Sequence, residues 1–259
     1  MLNALRHHLV HPWKARRRER AIQAHAEQAA RQNRNAFPGS FALPTPFARG
    51  LNERAVELTF AQLLYTPQGE VLDIGHANAK QSHLDFLSRF TTKDNLTGID
   101  LGEPIYDTTP YYKKSIRADI TQHPFADNTF DVIWCISTLE HFGMDIAMYN
   151  DQYTRDAGLA GRALQAIVPA LKPGGRLLLT VPFGRHENHG WFINYDAAHW
   201  NDLLDAVRDR VRISEWYFKH TEKRGWHQVP AGELAFTSYH DQRNFGAAGL
   251  VVAVIEKTQ

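Results

Sequence analysis

Two short apolar runs, each closed by an acid, constrain this chain more than anything else in it. Val71-Leu72-Asp73-Ile74-Gly75 reads as a buried strand that stops at a tight turn. About 24 residues on, Gly98-Ile99-Asp100 ends a second run in a carboxylate. Parallel strands joined by a crossover place their carboxyl ends side by side, and the crevice above those ends is where such sheets take ligands. An acid at that spacing is where a dinucleotide-type fold puts its ribose-binding carboxylate. The pair therefore points to a nucleoside-bearing cofactor lying across two adjacent strands.

The same rhythm runs through the rest of the chain. Strand patterns fall at 71–74, 96–100, about 115–118, 130–136, 176–182, 211–218 and 249–256. Helical patterns fall at about 52–65, 78–90, 157–171 and 196–207. The alternation predicts an α/β fold with a doubly wound, mostly parallel seven-stranded sheet, of Rossmann-like type. The last two strands are joined by a Gly- and His-rich stretch without helical periodicity, which suits an antiparallel pairing at the sheet edge.

Residues 1–46 differ from the rest of the chain. The first 36 hold one Lys, seven Arg and two Glu, centred on Lys14-Ala15-Arg16-Arg17-Arg18-Glu19-Arg20. Their Ala, Gln and Arg content favours helix, and Phe37-Pro38-Gly39 and Pro44-Thr45-Pro46 break it. The expected division is a basic helical arm and linker over 1–46 and one domain over 47–259. Three roles suit the arm: a helix docked over the cleft or a partner subunit, a membrane-surface helix, or a nucleic-acid contact. Leu2, Leu5, Leu9, Val10 and Trp13 beside the Arg run support peripheral membrane contact through residues 1–36. Nucleic acid is not expected, because charge without a recognisable module is only an electrostatic footprint. The overall net charge of +1 gives no global pull on polyanions. The single cysteine, Cys135, excludes an intrachain disulfide and a Cys-based zinc cluster, and its apolar surroundings read as core. No stretch reaches the ~20 apolar residues that span a bilayer, and the start lacks an apolar h-region. A reducing cytoplasm is the expected compartment.

The turn Gly75-His76-Ala77-Asn78-Ala79 has one glycine, so it is not G-x-G-x-x-G. That argues against NAD and FAD, whose pyrophosphate needs a second close backbone approach. Three further segments matter. They are Asp119-Ile120 followed by Pro124-Phe125-Ala126-Asp127-Asn128-Thr129-Phe130-Asp131-Val132-Ile133, then Ser137-Thr138-Leu139-Glu140-His141, then Leu171-Lys172-Pro173-Gly174-Gly175-Arg176-Leu177-Leu178-Leu179.

With these segments the chain resembles the class I S-adenosylmethionine-dependent methyltransferases over roughly residues 52–256. Within that superfamily it is similar to the methyltransferase-11-like members with a reduced-glycine loop. The resemblance implies S-adenosylmethionine as cofactor and a role for each matching position. Asp73 and Gly75 match the acid and first glycine of the cofactor loop, which continues into His76 and Ala77. Asp100, with Leu101 beside it, matches the ribose-binding position. Asp119 and the Ile120 backbone match the adenine contact, and Ser137 the end of the fourth strand that lines the methionine part. The loop departs from the family's commoner C-G-x-G.

The segment after the fourth strand is Ser137-Thr138-Leu139-Glu140-His141. It is not the Asn/Asp-Pro-Pro-Tyr/Phe turn typical of amino-group methylation of bases and glutamine, and no Pro-Cys nucleophile is present. A hydroxyl acceptor fits better, and histidine is the usual base near neutral pH. His141 is the first candidate for that base, or else it orients Glu140 or caps the following helix. His189 is the second catalytic candidate. The aromatic and polar loop 183–200 reads either as a flap packed on the core or as an acceptor platform contributing His186, Trp191 and Tyr195. His186-Glu187-Asn188-His189 carries ligand-type side chains but lacks a third ligand on a helix, so no metal is expected. The reading is a methyltransferase acting on a hydroxyl of a sugar, glycan or small metabolite. The rivals are a non-catalytic scaffold of the same fold and a nucleic-acid-associated protein acting through the arm. A short-chain dehydrogenase lacks its Tyr-x-x-x-Lys helix.

Overall fold

The computed structural model describes residues 12–145, 155–241 and 246–258. Helix α1 (Pro12–Asn33) and helix α2 (Arg54–Leu64) precede the sheet. Then come β1 (Val71–Ile74), α3 (Gln81–Leu87), β2 (Leu96–Asp100), β3 (Lys114–Arg117) and β4 (Phe130–Ile136). Helix α4 (Leu159–Ile167) leads into β5 (Leu171–Pro182), a small hairpin of β6 (Glu187–Asn188) and β7 (Ile193–Asn194), and α5 (Ala197–Asp205). The chain closes with β8 (Val211–Thr221), β9 (Gly225–Val229) and β10 (Gly249–Lys257).

The main sheet has the order β3-β2-β1-β4-β5-β10-β8-β9. The five strands from β3 to β5 pair in parallel. Strand β10 is antiparallel to both β5 and β8. Successive side chains of a strand point to opposite faces, so each strand feeds two cores. Leu72, Ile133, Leu177 and Leu179 pack on one face with residues of α4 and α5, such as Leu164 and Leu204. Val71, Val132, Trp134 and Leu178 pack on the other with residues of α1, α2 and α3, such as Ala26, Phe60 and Leu84. Every residue of β1 is buried, which is why this strand reads as a continuous apolar run rather than an alternation.

The fold expected from sequence is the one found, with two refinements. The expected antiparallel pair is β8 with β10, and β10 is its inner strand, lying between β5 and β8. An eighth strand, β9, takes the rim, pairing antiparallel with β8. Its five residues begin with a glycine and include His227 and Gln228, so it carries little strand signal. Phe47 bridges the Gly225 end of its outer side: Phe47 N–H donates to Arg224 O and Trp226 N–H donates to Phe47 O (3.1 and 2.8 Å). Pairing at that end shortens the edge open to another chain.

The basic helix is docked. Ile22, Ala26 and Ala29 of α1 are buried in the core shared with α2 and α3. Gln23 Nε2 donates to Ser82 O at 2.9 Å. Ion pairs join Glu19 to Lys80 and Glu27 to Arg89. The outward face carries Trp13, 57% exposed, with Lys14, Arg16, Arg17 and Arg20. The apolar positions Leu2, Leu5, Leu9 and Val10 lie outside the described residues. Among the described residues no helix is long and apolar enough to cross a membrane.

A charge placed on the buried stripe of α1 has no partner there. Ala29→Glu should lower unfolding stability by about 3 kcal/mol in urea, whereas Arg20→Gln on the outward face should leave the midpoint nearly unchanged. An unchanged midpoint in Ala29→Glu would mean that α1 does not pack on α2 in solution.

Candidate functional site

A cavity of ≈ 1330 Å³ opens above the carboxyl ends of the parallel strands. Ligand pockets usually run to about 300–1,000 Å³, so the space suits two molecules better than one. Its lining includes the ends of β1, β2 and β4, the start of α2, and Arg18, Glu19 and Gln23 of α1.

The β1 turn is shaped by Gly75. Its φ of +90° is reserved for glycine, and an added Cβ would strike the Thr138 side chain. Gly75 N–H donates to Ile99 O at 3.0 Å, which ties the turn to β2. Asp100 closes the arrangement. Its Oδ2 accepts from Ala77 N–H and its Oδ1 from Gly102 N–H, each at 2.9 Å. A carboxylate oxygen accepts more than one hydrogen bond, so a vicinal diol in the cavity finds the two oxygens already aimed and oriented. Ala77 is itself buried and serves through its backbone. His76 is buried under the turn, with Nε2 2.6 Å from Ser115 Oγ, and its ring fills the space that a side chain at Gly98 would need. Helix α3 starts at Gln81, about three residues later than its pattern indicated, so the turn is longer than expected.

Asp119 folds into a local turn. Its Oδ1 accepts from the N–H and hydroxyl of Thr121, at 2.8 and 2.7 Å. With Leu101 and Ile120 it lines the cavity beside Asp100. Asp73 is buried and takes a 2.6 Å hydrogen bond from Tyr112 Oη. Burial outweighs that bond and raises its carboxyl above the usual range.

The opposite wall is built from α2. Glu57 is fully buried. Its Oε1 accepts from Ser137 Oγ at 2.5 Å and from Thr180 Oγ1 at 2.7 Å, and its Oε2 lies 3.2 Å from Arg54. Ser137 adopts φ +43°, a conformation rare for a residue with a side chain and common at functional sites. Arg54 keeps 38% of its side chain accessible and lines the cavity. Glu53, Glu57 and Glu140 stand around it. Burial and the neighbouring Glu57 push Glu53 up to about 7. Burial also raises Glu140 well above the carboxylate range. Burial, with Arg54 nearby, holds His83 neutral, down to about 3.

His141 follows β4 and lines the cavity. Its Nδ1 is 2.8 Å from Trp191 O, and its ring stacks on the Trp191 indole at 5.0 Å. A carbonyl only accepts, so Nδ1 carries the proton and Nε2 the basic lone pair in the neutral ring. Burial lowers its pKa, which keeps the ring neutral near pH 7. Trp191, Phe192 and Tyr239 continue the wall.

The other candidates of loop 183–200 do not reach this cavity. His189 stacks flat on Phe192 at 4.4 Å, with Nε2 3.7 Å from Glu187, behind the aromatic wall. Tyr195 is buried in the core beside Trp200. His186 points away and stacks on His199 at 3.9 Å. With Asp196 these two histidines bring ligand atoms within 4.8 Å of one another, on the surface, where Asp196 already caps α5. His186 and His189 flank β6 and Tyr195 follows β7, so the path of this hairpin sets where each side chain lands. The sequence reading missed Glu53, Arg54 and Glu57, whereas Tyr239 belongs to the second aromatic loop that it expected beside the acceptor pocket. Arg54 and Glu57, three apart on an otherwise apolar helix, were the available signal.

Residues 72–179 match the family model described as a methyltransferase domain. No curated protein sequence matches the chain significantly. In structure it is similar to the 1,6-didemethyltoxoflavin-N1-methyltransferase of Burkholderia thailandensis, solved with 1,6-didemethyltoxoflavin and S-adenosylhomocysteine. Identity is 17% and the TM-score 0.51, over 97% of this chain and 92% of that one. It is equally similar to the [4+2]-cyclase SpnF, at 17% identity and TM-score 0.51 over 90% and 93%. The N-methyltransferase NodS of Bradyrhizobium japonicum gives 15% identity and TM-score 0.49 over 92% and 100%. At these identities the likeness speaks for the fold.

The raised carboxyl of Glu53 has a stability consequence. The folded protein holds a proton that the unfolded chain releases near the ordinary 4.5 of a glutamate, so stability is fully present below that pH and is lost as pH rises towards about 7. Thermal or urea unfolding should show a decline on the order of 2 kcal/mol across this window, and Glu53→Gln should flatten it. A wild-type profile that is already flat would remove the buried-acid assignment.

Proposed function

We propose that this chain, whose residues 72–179 match a methyltransferase-domain family model, is a class I S-adenosylmethionine-dependent methyltransferase that transfers the donor's methyl group to a hydroxyl of a sugar, glycan or other small metabolite. The observation that carries the donor half is Asp100 at the end of β2, preset by Ala77 and Gly102 N–H groups at 2.9 Å. Asp100 would hold the ribose diol, and Asp119 and the Ile120 backbone the adenine. The Gly75 turn and the Ser137 end of β4 would flank the amino-acid part. These residues fit the group, since all of them line one cavity. When bound, S-adenosylmethionine supplies an electrophilic methyl on a good leaving group.

The acceptor half rests on His141. Its neutral tautomer places the basic nitrogen away from Trp191 O. From there it can take the proton of a hydroxyl as the oxygen becomes nucleophilic. Holding acceptor and donor in line supplies much of the remaining rate. Trp191, Phe192 and Tyr239 offer aromatic faces of the kind that bind sugar rings. The absence of an amide-gripping turn after β4 supports oxygen over nitrogen. Neighbours of this fold include N-methyltransferases, so identifying the methylated atom of the product is the deciding measurement. The [4+2]-cyclase among the neighbours makes a non-methylating use of the fold the alternative; donor binding without methyl transfer to any acceptor would favour it.

Charge-assisted hydrogen bonds are each worth roughly 1.5–3 kcal/mol. Asp100→Ala should therefore weaken S-adenosylmethionine at least about tenfold by calorimetry, and unchanged affinity in a folded variant would end the ribose assignment. Once an acceptor is identified by transfer of a labelled methyl group, His141→Ala should lower kcat by roughly 10²–10⁴ with donor affinity near wild type. The acid limb of the wild-type profile should lie below the ordinary 6.5 of histidine, because burial lowers this ring. A limb above 6.5, or a silent His141→Ala, would move the base elsewhere.

A further inference from the structure

The wall beside the β4 turn holds more acid than it balances. Glu53, Glu57, Asp73 and Glu140 face one guanidinium, that of Arg54. Glu57 Oε1 accepts from Ser137 and Thr180, and its Oε2, which has no hydrogen-bond partner among the described residues, is neutralised by the Arg54 guanidinium 3.2 Å away. Asp73 takes the Tyr112 hydroxyl. Glu53 Oε2 accepts from Ala247 N–H at 3.0 Å. Glu140 is different. It is 3% exposed, lines the cavity, and its Oε2 has no hydrogen-bond partner among the described residues. Its Oε1 lies 4.0 Å from His141 Nε2, beyond hydrogen-bond reach. Native proteins rarely leave a buried carboxyl oxygen unpaired unless a ligand completes it.

We propose that this carboxyl wall, centred on Glu140, reads the positive charge of the methyl donor, so that the protein binds S-adenosylmethionine in preference to its neutral demethylated product. The inference rests on the donor site proposed for this cavity. The two ligands share adenine, ribose and amino acid, so Asp100 and Asp119 see them alike. They differ in the sulfonium, which is cationic, against a neutral thioether. An unpaired acid at the wall is the feature of this site that separates them. The consequence is directional: once the methyl group has gone, the attraction that held the donor has gone with it, and the product leaves more readily.

Protonation supplies an independent signature. Glu140 faces Arg54, Glu57 and Glu53 from α2 and its approach, Cys135 from β4, His141 on its own turn, and Tyr195 and Tyr239 from the loops, and Asp73 of β1 acts beside it on Cys135 and Arg54. Burial raises Glu140 and Glu53, so each holds its proton to higher pH than a free glutamate does. A cation draws a proton off, and a neutral ligand does not. Donor affinity should therefore strengthen as pH rises, while product affinity stays flat.

The test is calorimetry on the full chain with S-adenosylmethionine and S-adenosylhomocysteine. Wild type should favour the former by about tenfold or more, a difference of about 1.4 kcal/mol. Glu140→Gln keeps the shape and removes the charge. It should weaken the donor by about that factor, leave the product within about twofold, and flatten the pH dependence. Equal binding of both ligands by wild type, or an equal loss of both in folded Glu140→Gln, would overturn the proposal. If that variant does not fold, wild type decides: a donor affinity flat in pH sinks it, and a rise confined to the donor supports it. Wild type that binds neither ligand would overturn the donor site and this inference together.

Discussion

The cleft is organised by one buried carboxylate. Glu57 reaches from α2 to two hydroxyls, Ser137 after β4 and Thr180 in β5, while its second oxygen meets Arg54. Those contacts hold the β4 turn in its left-handed Ser137 conformation. The turn in turn brings Thr138 Oγ1 to Ile74 O, 3.3 Å away, directly under the Gly75 loop. Two strand ends and a helix are thus locked by a single side chain with no water contact. Removing one partner of such a network leaves the others buried and unpaired, and that asymmetry makes it more consequential than any one of its bonds.

Around this lock the two halves of the cavity are built differently. The half proposed for the donor uses backbone: the Gly75 turn, Asp100 held by two N–H groups, Asp119 in its own turn. Such a surface is stiff and already shaped for its ligand. The half proposed for the acceptor uses side chains from separate loops, with Trp191 and Phe192 on one and Tyr239 on another. Glu187 joins those loops by accepting from Ser238 Oγ and Tyr239 N–H, each at 2.7 Å. Several hydrogen bonds hold it ionised, down to about 2.

The same division explains which features were legible in the sequence. Strand ends are local: β1, β2 and β4 have the residue limits their apolar runs indicate, and Asp73, Gly75, Asp100, Asp119 and Ser137 come together because parallel topology brings strand ends together. His141 follows the same rule, lying just past the end of β4. The failures are non-local. His189 and Tyr195 are aimed by the β6–β7 hairpin, too short to leave a pattern. Glu57 acts on Thr180 from 123 residues away, and nothing in an isolated Arg-x-x-Glu tells which strand it will meet. Strand β9 was invisible because its stability comes from Phe47 and β8 rather than from its own composition.

The Phe47 contact at the rim also sets a schedule. Leu51 O accepts the Trp226 indole N–H across 175 residues. A chain emerging from synthesis must therefore carry its early segment undocked until nearly the last strands have been made. Closing so long a loop costs entropy before any contact returns it, and contacts of this separation form slowly. The linker between α1 and α2 therefore docks only after β9 has been made, and the Gly225 end of the rim stays open until then.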